Sequence, residues 1–444
     1  MILLLGFAGY KQLRMKKILI FGAGKSATCL IDYLCNACEE NNWTLLVCDA
    51  DLALATAKIK GCKGAEAISI NVNDAAKRTE LIRGATIVIS MLPPHLHFLV
   101  ANDCVQDGKH LLTASYVDEK VKELEGQIRE NNLLFLCEMG LDPGIDHMSA
   151  MKILDRIKSE GGKIISFKSH CGGLISPESD DNPWHYKITW NPGNIVMAGS
   201  HGAVYKSNTA VRQIPYQQIF NDCEVVDVPG LFPLAWYPNR DSLSYIKTYR
   251  LESADTFIRT TLRNPAFCRG WNNLVNIGLT DINDHEEIKN CKSYYEWYKI
   301  KADKAKSDLL NFQSEYEEQI DYLGLRSNDT IDEEIINSSL LLQHILEKKL
   351  AMKSHDKDMI VMLHEIGYRA NGENKEIKSC LIVKGEDQIY TAMAKTVGLP
   401  LGIAAKLLLL DKIKLRGLHI PTAPEIYEAV LPELEKNGIK FNEG

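Results

Sequence analysis

From Lys17 onward, short apolar runs alternate with amphipathic stretches. Lys17 to Phe21 (KILIF), Thr44 to Cys48 (TLLVC), Ala67 to Val72, Ala85 to Met91 (ATIVISM), His110 to Ala114 and Leu133 to Cys137 read as strands, and the segments between them as helices. Strict alternation of this kind predicts an α/β fold, a doubly wound parallel sheet. Ligands of such sheets bind beyond the carboxyl ends of the strands, which singles out Ser90 to Pro94, Ser115 with Tyr116, and Glu138 to Asp142. After Gly161-Gly162 the pattern changes. Lys163 to His170 reads as a strand, followed by Cys171-Gly172-Gly173, a polar loop from Ser176 to Pro183, and a further strand from Trp184 to Trp190. From about Pro265 to Lys353 the chain is helical and charge-rich, with apolar clusters at Leu309, Leu310 and Phe312 and from Leu340 to Leu346. Met359 to His364 and Glu376 to Val383 read as a strand pair turned at Asn371-Gly372. A helix follows from Tyr390 to Leu410, with a break or kink expected at Gly398-Leu399-Pro400.

Composition narrows the class. Hydrophobic residues make up 45 % and charged residues 25 % of the 444, the proportions of a packed globular chain of two or three domains. Fifty-one Lys and Arg against 58 Asp and Glu, with no basic run, argue against a nucleic acid partner. Met1 to Tyr10 is apolar but falls short of the roughly 20 residues that cross a bilayer, so no membrane association is expected. Met15-Lys16-Lys17 leads directly into the first strand, which marks Met1 to Arg14 as an upstream extension or a misplaced start. Twelve cysteines without disulfide-framework spacing point to a reducing cytoplasm. Cys35 and Cys38 form a C-x-x-C on one helix with no second ligand pair, so they read as helix packing, and no metal site is expected.

The first candidate chemistry is Gly22-Ala23-Gly24-Lys25-Ser26-Ala27 between a strand and a helix. Gly22 permits the tight turn, Gly24 lets backbone approach a pyrophosphate, and Ala27 lets the helix pack close. Lys25 and Ser26 open that helix, whose N-terminus favours phosphate. Asp49 ends the second strand, where a carboxylate accepts the adenosine ribose hydroxyls. No arginine follows to receive a 2′-phosphate, so NAD is expected rather than NADP, with NADP kept open. Asp51 reads as a helix N-cap. Val72, Leu92, Pro93 and His97 complete the expected cofactor contacts, although Pro93-Pro94 equally stops a strand. Asp142 is either the N-cap of the helix that Pro143 begins or the holder of a substrate amine. Arg240, in a turn flanked by aromatics, either clamps a carboxylate or pairs with Asp241. His95, His97, His147, His170 and His185 fall near the cleft segments, and His97 is the first to test as an acid–base group.

Longer strings make the pattern specific: TASYV at Thr113 to Val117, EMGLDPGIDH at Glu138 to His147, SHCGGL at Ser169 to Leu174, PESDDNP at Pro177 to Pro183, WYPNRD at Trp236 to Asp241, and AMAKTVGLP at Ala392 to Pro400. With these, nearly all of Met15 to Gly444 resembles saccharopine dehydrogenase of the L-glutamate-forming type, also called saccharopine reductase. The resemblance implies NAD(P)-dependent oxidation of saccharopine to L-glutamate and 2-aminoadipate 6-semialdehyde, or the reverse reductive condensation. It implies a variant Rossmann domain over residues 15–140, completed by about 390–444. A mixed α/β substrate and dimerisation domain would span 141–264 and about 355–390, with a helical subdomain at 265–354, and the chain is expected to form a homodimer. Carried over motif by motif, the substrate contacts are Ser115, Tyr116, Asp142, Cys171, Gly172, Gly173, Asn182, Lys187 and Arg240, with Tyr116 and Asp142 as candidates for the amine proton. The family is usually described with NADP, so Asp49 is a departure from it. Two rivals are a dehydrogenase of another N-linked adduct, of the carboxynorspermidine type, and a non-catalytic dinucleotide sensor.

Overall fold

The computed structural model describes residues 15–305 and 314–444. Met1 to Arg14 and the cluster of Leu309, Leu310 and Phe312 therefore lie outside the described residues. The first unit is a parallel sheet of β1 (Lys17–Phe21), β2 (Thr44–Asp49), β3 (Ala65–Ser69), β4 (Ile87–Ser90), β5 (His110–Thr113) and β6 (Leu134–Leu136). The third strand lies earlier than the apolar run at Ala67 to Val72 suggested. Its residues are only partly covered, as befits the sheet edge. In space the order is β3, β2, β1, β4, β5, β6, the doubly wound arrangement, and the switch point between β1 and β4 lies above the glycine turn.

The second unit is a ten-stranded mixed sheet. It contains β7 (Lys163–Ile175), β8 (Ala203–Ser207), β9 (Ala210–Ile214), β10 (Glu224–Val226), β11 (Leu234–Pro238), β12 (Arg240–Asp241), β13 (Thr256–Arg263), β14 (Asp358–Ala370) and β15 (Glu373–Lys384). The chain then returns to the first sheet with β16 (Gly417–His419), parallel to β6, and ends in β17 (Asn442–Glu443) on β15. β14 and β15 are much longer than the apolar runs alone predicted, because Asn371 and Gly372, at φ +53° and +82°, close a two-residue hairpin that keeps every residue from Met359 to Ala370 in register. β7 likewise runs straight through Cys171-Gly172-Gly173. Trp184 to Trp190 forms no strand. Trp184 instead stacks into the helical subdomain against Phe267 and Trp271.

The helix Ala392–Leu409 is continuous, with Pro400 inside it. Gly398 and Gly402 serve close packing rather than a kink. A Cβ on Gly398 would stand 2.8 Å from the Leu30 nitrogen, and one on Gly402 would stand 2.9 Å from the Tyr33 ring, so this helix lies tight against Thr28–Asn41. Its length and composition suit a membrane span, but 83 % of it is buried within the fold, where it is the core helix shared by both units. Cys35, expected to pack on its own helix, is bonded to Cys62 in the turn before β3, while Cys38 and nine other cysteines are free.

Candidate active site

The glycine turn has the shape that a dinucleotide pyrophosphate requires. Gly22 sits at φ +100°, and a Cβ there would lie 2.8 Å from the Met91 carbonyl oxygen, so only glycine fits between β1 and β4. Around Gly24 the corresponding space is open, Ala27 is buried against the sheet, and the N–H groups of Gly24, Lys25 and Ser26 meet no acceptor among the described residues. Asp49 closes the other side: its Oδ2 accepts the Ala23 N–H at 2.7 Å and its Oδ1 the Asp51 N–H at 3.0 Å. Asp51 caps the next helix through Ala53 and Leu54, as its position suggested. Val72 is buried, Leu92 is half-buried, and Pro93 is exposed just before the turn Pro94–Leu96, which feeds the helix His97–Gln106. These residues fit a nicotinamide dinucleotide.

Beyond β4 and β5 the imidazole of His97 joins two hydroxyls, Ser90 Oγ at 2.8 Å from Nδ1 and Ser115 Oγ at 2.6 Å from Nε2. Burial lowers its pKa to about 4, so it stays neutral and fixes the Ser115 hydroxyl rather than supplying charge. Tyr116 follows, and Arg240 lies over its ring with the guanidinium carbon 5.4 Å from the centroid. Asp241 does not pair with Arg240. It caps the turn Leu243–Tyr245 through the Leu243 and Ser244 N–H groups, and Arg240, exposed and at φ +50°, has no carboxylate partner among the described residues.

The capping reading of Asp142 is corrected by the structure. The helix begins at Ile145, after a cis Asp142-Pro143 peptide and Gly144 at φ +147°, and the Gly144 N–H donates to Asp146 Oδ1 at 2.6 Å. Asp142 is thereby released toward the cleft, where Arg259 Nη2 holds it and also donates to Asp146 Oδ2 at 2.8 Å. Burial, reinforced by Asp146, outweighs Arg259 and pushes the Asp142 carboxyl up to about 6. Behind this pair stands Glu138, a non-glycine residue at φ +56°, whose Oε2 accepts the Tyr245 hydroxyl at 3.0 Å and His147 Nε2–H at 2.9 Å. His147 Nδ1 in turn lies within hydrogen-bond distance of the Tyr249 hydroxyl, at 2.6 Å. Left-handed residues at Glu138 and Arg240 concentrate backbone strain at this cleft, as functional sites do.

Cys171 is a buried thiol whose pKa burial raises well above its usual value, so it is a neighbour and not a nucleophile. A Cβ on Gly172 would fall 2.5 Å from the Leu262 carbonyl oxygen of the neighbouring strand, and one on Gly173 would fall 2.9 Å from Met393 Cε of the helix Ala392–Leu409, so both glycines answer a steric demand. Asn182 and Lys187 are committed elsewhere. Asn182 Oδ1 accepts the Trp184 N–H and its amide donates to the Tyr186 carbonyl, shaping a turn. Lys187, 2 % exposed, is ion-paired with Asp356 at 2.7 Å and Asp181 at 2.8 Å and has no free charge to offer a substrate. His185 pairs with Asp180, and His170 lies between Thr260 and Glu365, so both are structural. Two arginines of β13 escaped the sequence reading, Arg259 and Arg263. Arg263 is 5 % exposed yet has no carboxylate partner among the described residues. Its Nη1 donates to the Leu262 carbonyl at 2.9 Å, its plane faces Tyr186 and Phe267, and its Nε is buried without an acceptor. The only signal was its spacing of four residues from Arg259, which puts both on the same face of a strand.

Comparison with known proteins agrees with this geometry. Residues 18–136 match the family model described as saccharopine dehydrogenase NADP binding domain, and 140–439 match the saccharopine dehydrogenase C-terminal domain. The chain is 33 % identical to a mitochondrial alpha-aminoadipic semialdehyde synthase of Mus musculus over 96 % of its own length and 47 % of that protein. It thus spans about half the length of the alpha-aminoadipic semialdehyde synthases it matches. It is 31 % identical to saccharopine dehydrogenase [NADP(+), L-glutamate-forming] of Saccharomyces cerevisiae, covering 96 % of this chain and 99 % of that one. A solved apo structure of the saccharopine dehydrogenase (L-Glu forming) from Saccharomyces cerevisiae superposes with a TM-score of 0.87 at 29 % identity, over 97 % of this chain and 99 % of that one. A homospermidine synthase of Legionella pneumophila in complex with NAD shares the fold alone, at 10 % identity and a TM-score of 0.57. The chain belongs to the saccharopine dehydrogenase family.

Proposed function

We propose that the protein oxidises saccharopine to L-glutamate and 2-aminoadipate 6-semialdehyde with NAD, and runs the reductive condensation in reverse. The observation that carries this reading is a pair of guanidinium groups without carboxylate partners among the described residues, Arg240 over the Tyr116 ring and Arg263 near Cys171, which in turn neighbours Asp142. A substrate with three carboxylates supplies the missing counter-charges. Ser115, oriented by His97, and Tyr116, whose phenol burial keeps protonated, add hydroxyl donors. The protonated secondary amine gives one proton to Asp142 and so becomes neutral, and the carbon on the aminoadipate side gives up a hydride to leave an iminium. Water adds to that carbon with loss of a proton, so that the C–N bond breaks and the nitrogen leaves, protonated, as the amine of glutamate. When bound, the nicotinamide accepts that hydride. The protein's task is to bring the two ligands together and to hold the proton acceptor in place.

NAD is favoured by Asp49, whose carboxylate stands at the end of β2 against the glycine turn and would face a 2′-phosphate. Two lysines of the neighbouring helices are engaged: Lys58 Nζ donates to Thr28 Oγ1 and Lys77 Nζ to the Ser69 carbonyl. The NADP(+) in the names of the fungal relatives points the other way. A homodimer is supported by exposed Val211 and Val225 on the edge strands β9 and β10, and a reducing cytoplasm by the ten free cysteines, while the Cys35–Cys62 bond points the other way. The test is saccharopine-dependent reduction of NAD and of NADP by the purified chain. A higher kcat/KM with NAD is expected. A preference for NADP would overturn the role of Asp49, and NAD binding without turnover of saccharopine would overturn the activity.

A further inference from the structure

The pairing of two carboxylates on one guanidinium is unequal. Asp146 is 1 % exposed, lies in the first turn of Ile145–Ser159 where the helix dipole favours an anion, and has one oxygen on the Gly144 N–H and the other on Arg259. Asp142 precedes the helix, has Arg259 as its partner, and keeps part of its carboxylate open to the cleft. Arg259 cannot shift toward either. Its backbone N–H donates to Ser242 Oγ at 3.0 Å, its plane lies 4.5 Å from the Tyr245 ring centroid, and Tyr245 is fixed by Glu138.

We infer that Arg259 is a positioning residue that divides the work between the two carboxylates, holding Asp146 as a fixed anion and leaving Asp142 to exchange protons with the substrate amine. The inference rests on the reading of Asp142 as the proton acceptor. The groups facing Asp142 are Arg259 from β13, Asp146 and His147 from the helix, Glu138 from the segment after β6, Tyr116 from the segment after β5, Tyr249, and Cys171 from β7. Burial raises both carboxyls, but for Asp146 the charges of His147 and Arg259 and the Gly144 N–H reverse the shift, whereas for Asp142 they do not. Two interacting carboxylates whose surroundings push them apart are the arrangement by which one site holds a base and a permanent charge together.

The test is the pH dependence of kcat/KM of the full chain in the saccharopine-oxidising direction. Arg259→Gln removes the positive charge and moves the acidic limb up by about one pH unit or more. Asp146→Asn removes the like charge while its Oδ1 still accepts the Gly144 N–H, and moves the limb down. Arg259→Lys restores the limb toward its original position. A purely structural role would lower kcat without moving the limb, so an unmoved limb in Asp146→Asn, or shifts of the same sign in Arg259→Gln and Asp146→Asn, overturns the inference. If Arg259→Gln does not fold, the downward shift in Asp146→Asn decides alone. Asp142→Asn separates the two readings: a variant that retains wild-type kcat and its acidic limb refutes Asp142 as proton acceptor, independently of Arg259.

Discussion

Replacing Arg263 with methionine separates a cation kept for substrate from one kept for the fold. In the free protein the guanidinium has the Leu262 carbonyl at 2.9 Å, a long contact to the Gly173 carbonyl at 3.4 Å, and two aromatic faces at 5.2 and 5.7 Å. The charged hydrogen bond contributes about 1.5–3 kcal/mol and the ring contacts about 0.5–2 kcal/mol. Against these stands the cost of burying an unpaired cation, several kcal/mol by itself and partly relieved by an apolar side chain of similar volume. The two sides nearly cancel, so Arg263→Met shifts the melting temperature by no more than a few degrees in either direction, since 1 kcal/mol corresponds to about 2–4 °C in a large domain. In the complex the balance is one-sided. Losing a buried charge pair with a substrate carboxylate costs about 2–5 kcal/mol, or roughly 30-fold and more in KM for saccharopine. Steady-state kinetics alongside thermal unfolding reads both quantities. A fall of ten degrees or more with KM unchanged would show that Arg263 stabilises the strand and takes no part in binding.

Lys187→Met leaves buried Asp356 without its lysine and with the Lys353 N–H as its remaining close donor, so it should destabilise the chain by about 3 kcal/mol in urea titration while KM for saccharopine stays where it was. A raised KM with unchanged stability would return Lys187 to the substrate. The buried imidazoles His97 and His364 have pKa values lowered by desolvation to about 4 from 6.5. The unfolded chain therefore binds protons that the folded one refuses. Stability is intact above the unfolded value of 6.5 and is lost as pH falls toward 4, at about 1.4 kcal/mol per pH unit for each group. Chemical denaturation at pH 7 and pH 5 checks the sign, and His97→Asn with His364→Asn should flatten the slope.

The cofactor half was legible because a parallel sheet buried on both faces writes itself as apolar runs, and because Gly22 meets a backbone demand that few other residues satisfy, while Gly24 leaves open space beside it. Of the two readings of Asp142, the capping one failed for a local reason. Asp-Pro before an apolar periodic stretch carries every sign of a helix start, yet Gly144 inserts a turn and Asp146 supplies the capping carboxylate from inside the helix. Arg259 and Arg263 were missed because a charged residue in a strand pattern marks the solvent face, and here that face is turned onto a cleft. Asn182 and Lys187 entered through motif likeness, which transmits the presence of a residue but not whether its polar atoms are already engaged. The left-handed backbone at Glu138 and Arg240 had no signature in residue type, since both are imposed by contacts far along the chain.

The return of the chain to its first sheet governs the order of assembly. Until β16 has been synthesised, β6 presents an open edge, and until the helix Ala392–Leu409 arrives, the apolar face of Thr28–Asn41 has nothing to cover it. A nascent chain emerging from the ribosome therefore carries its nucleotide cradle half-built through the making of the intervening sheet and helical layer. Only when the segment from Ala392 to His419 has joined does that cradle have its full set of packing partners, so competence to bind the cofactor doubles as a report that synthesis has passed this segment.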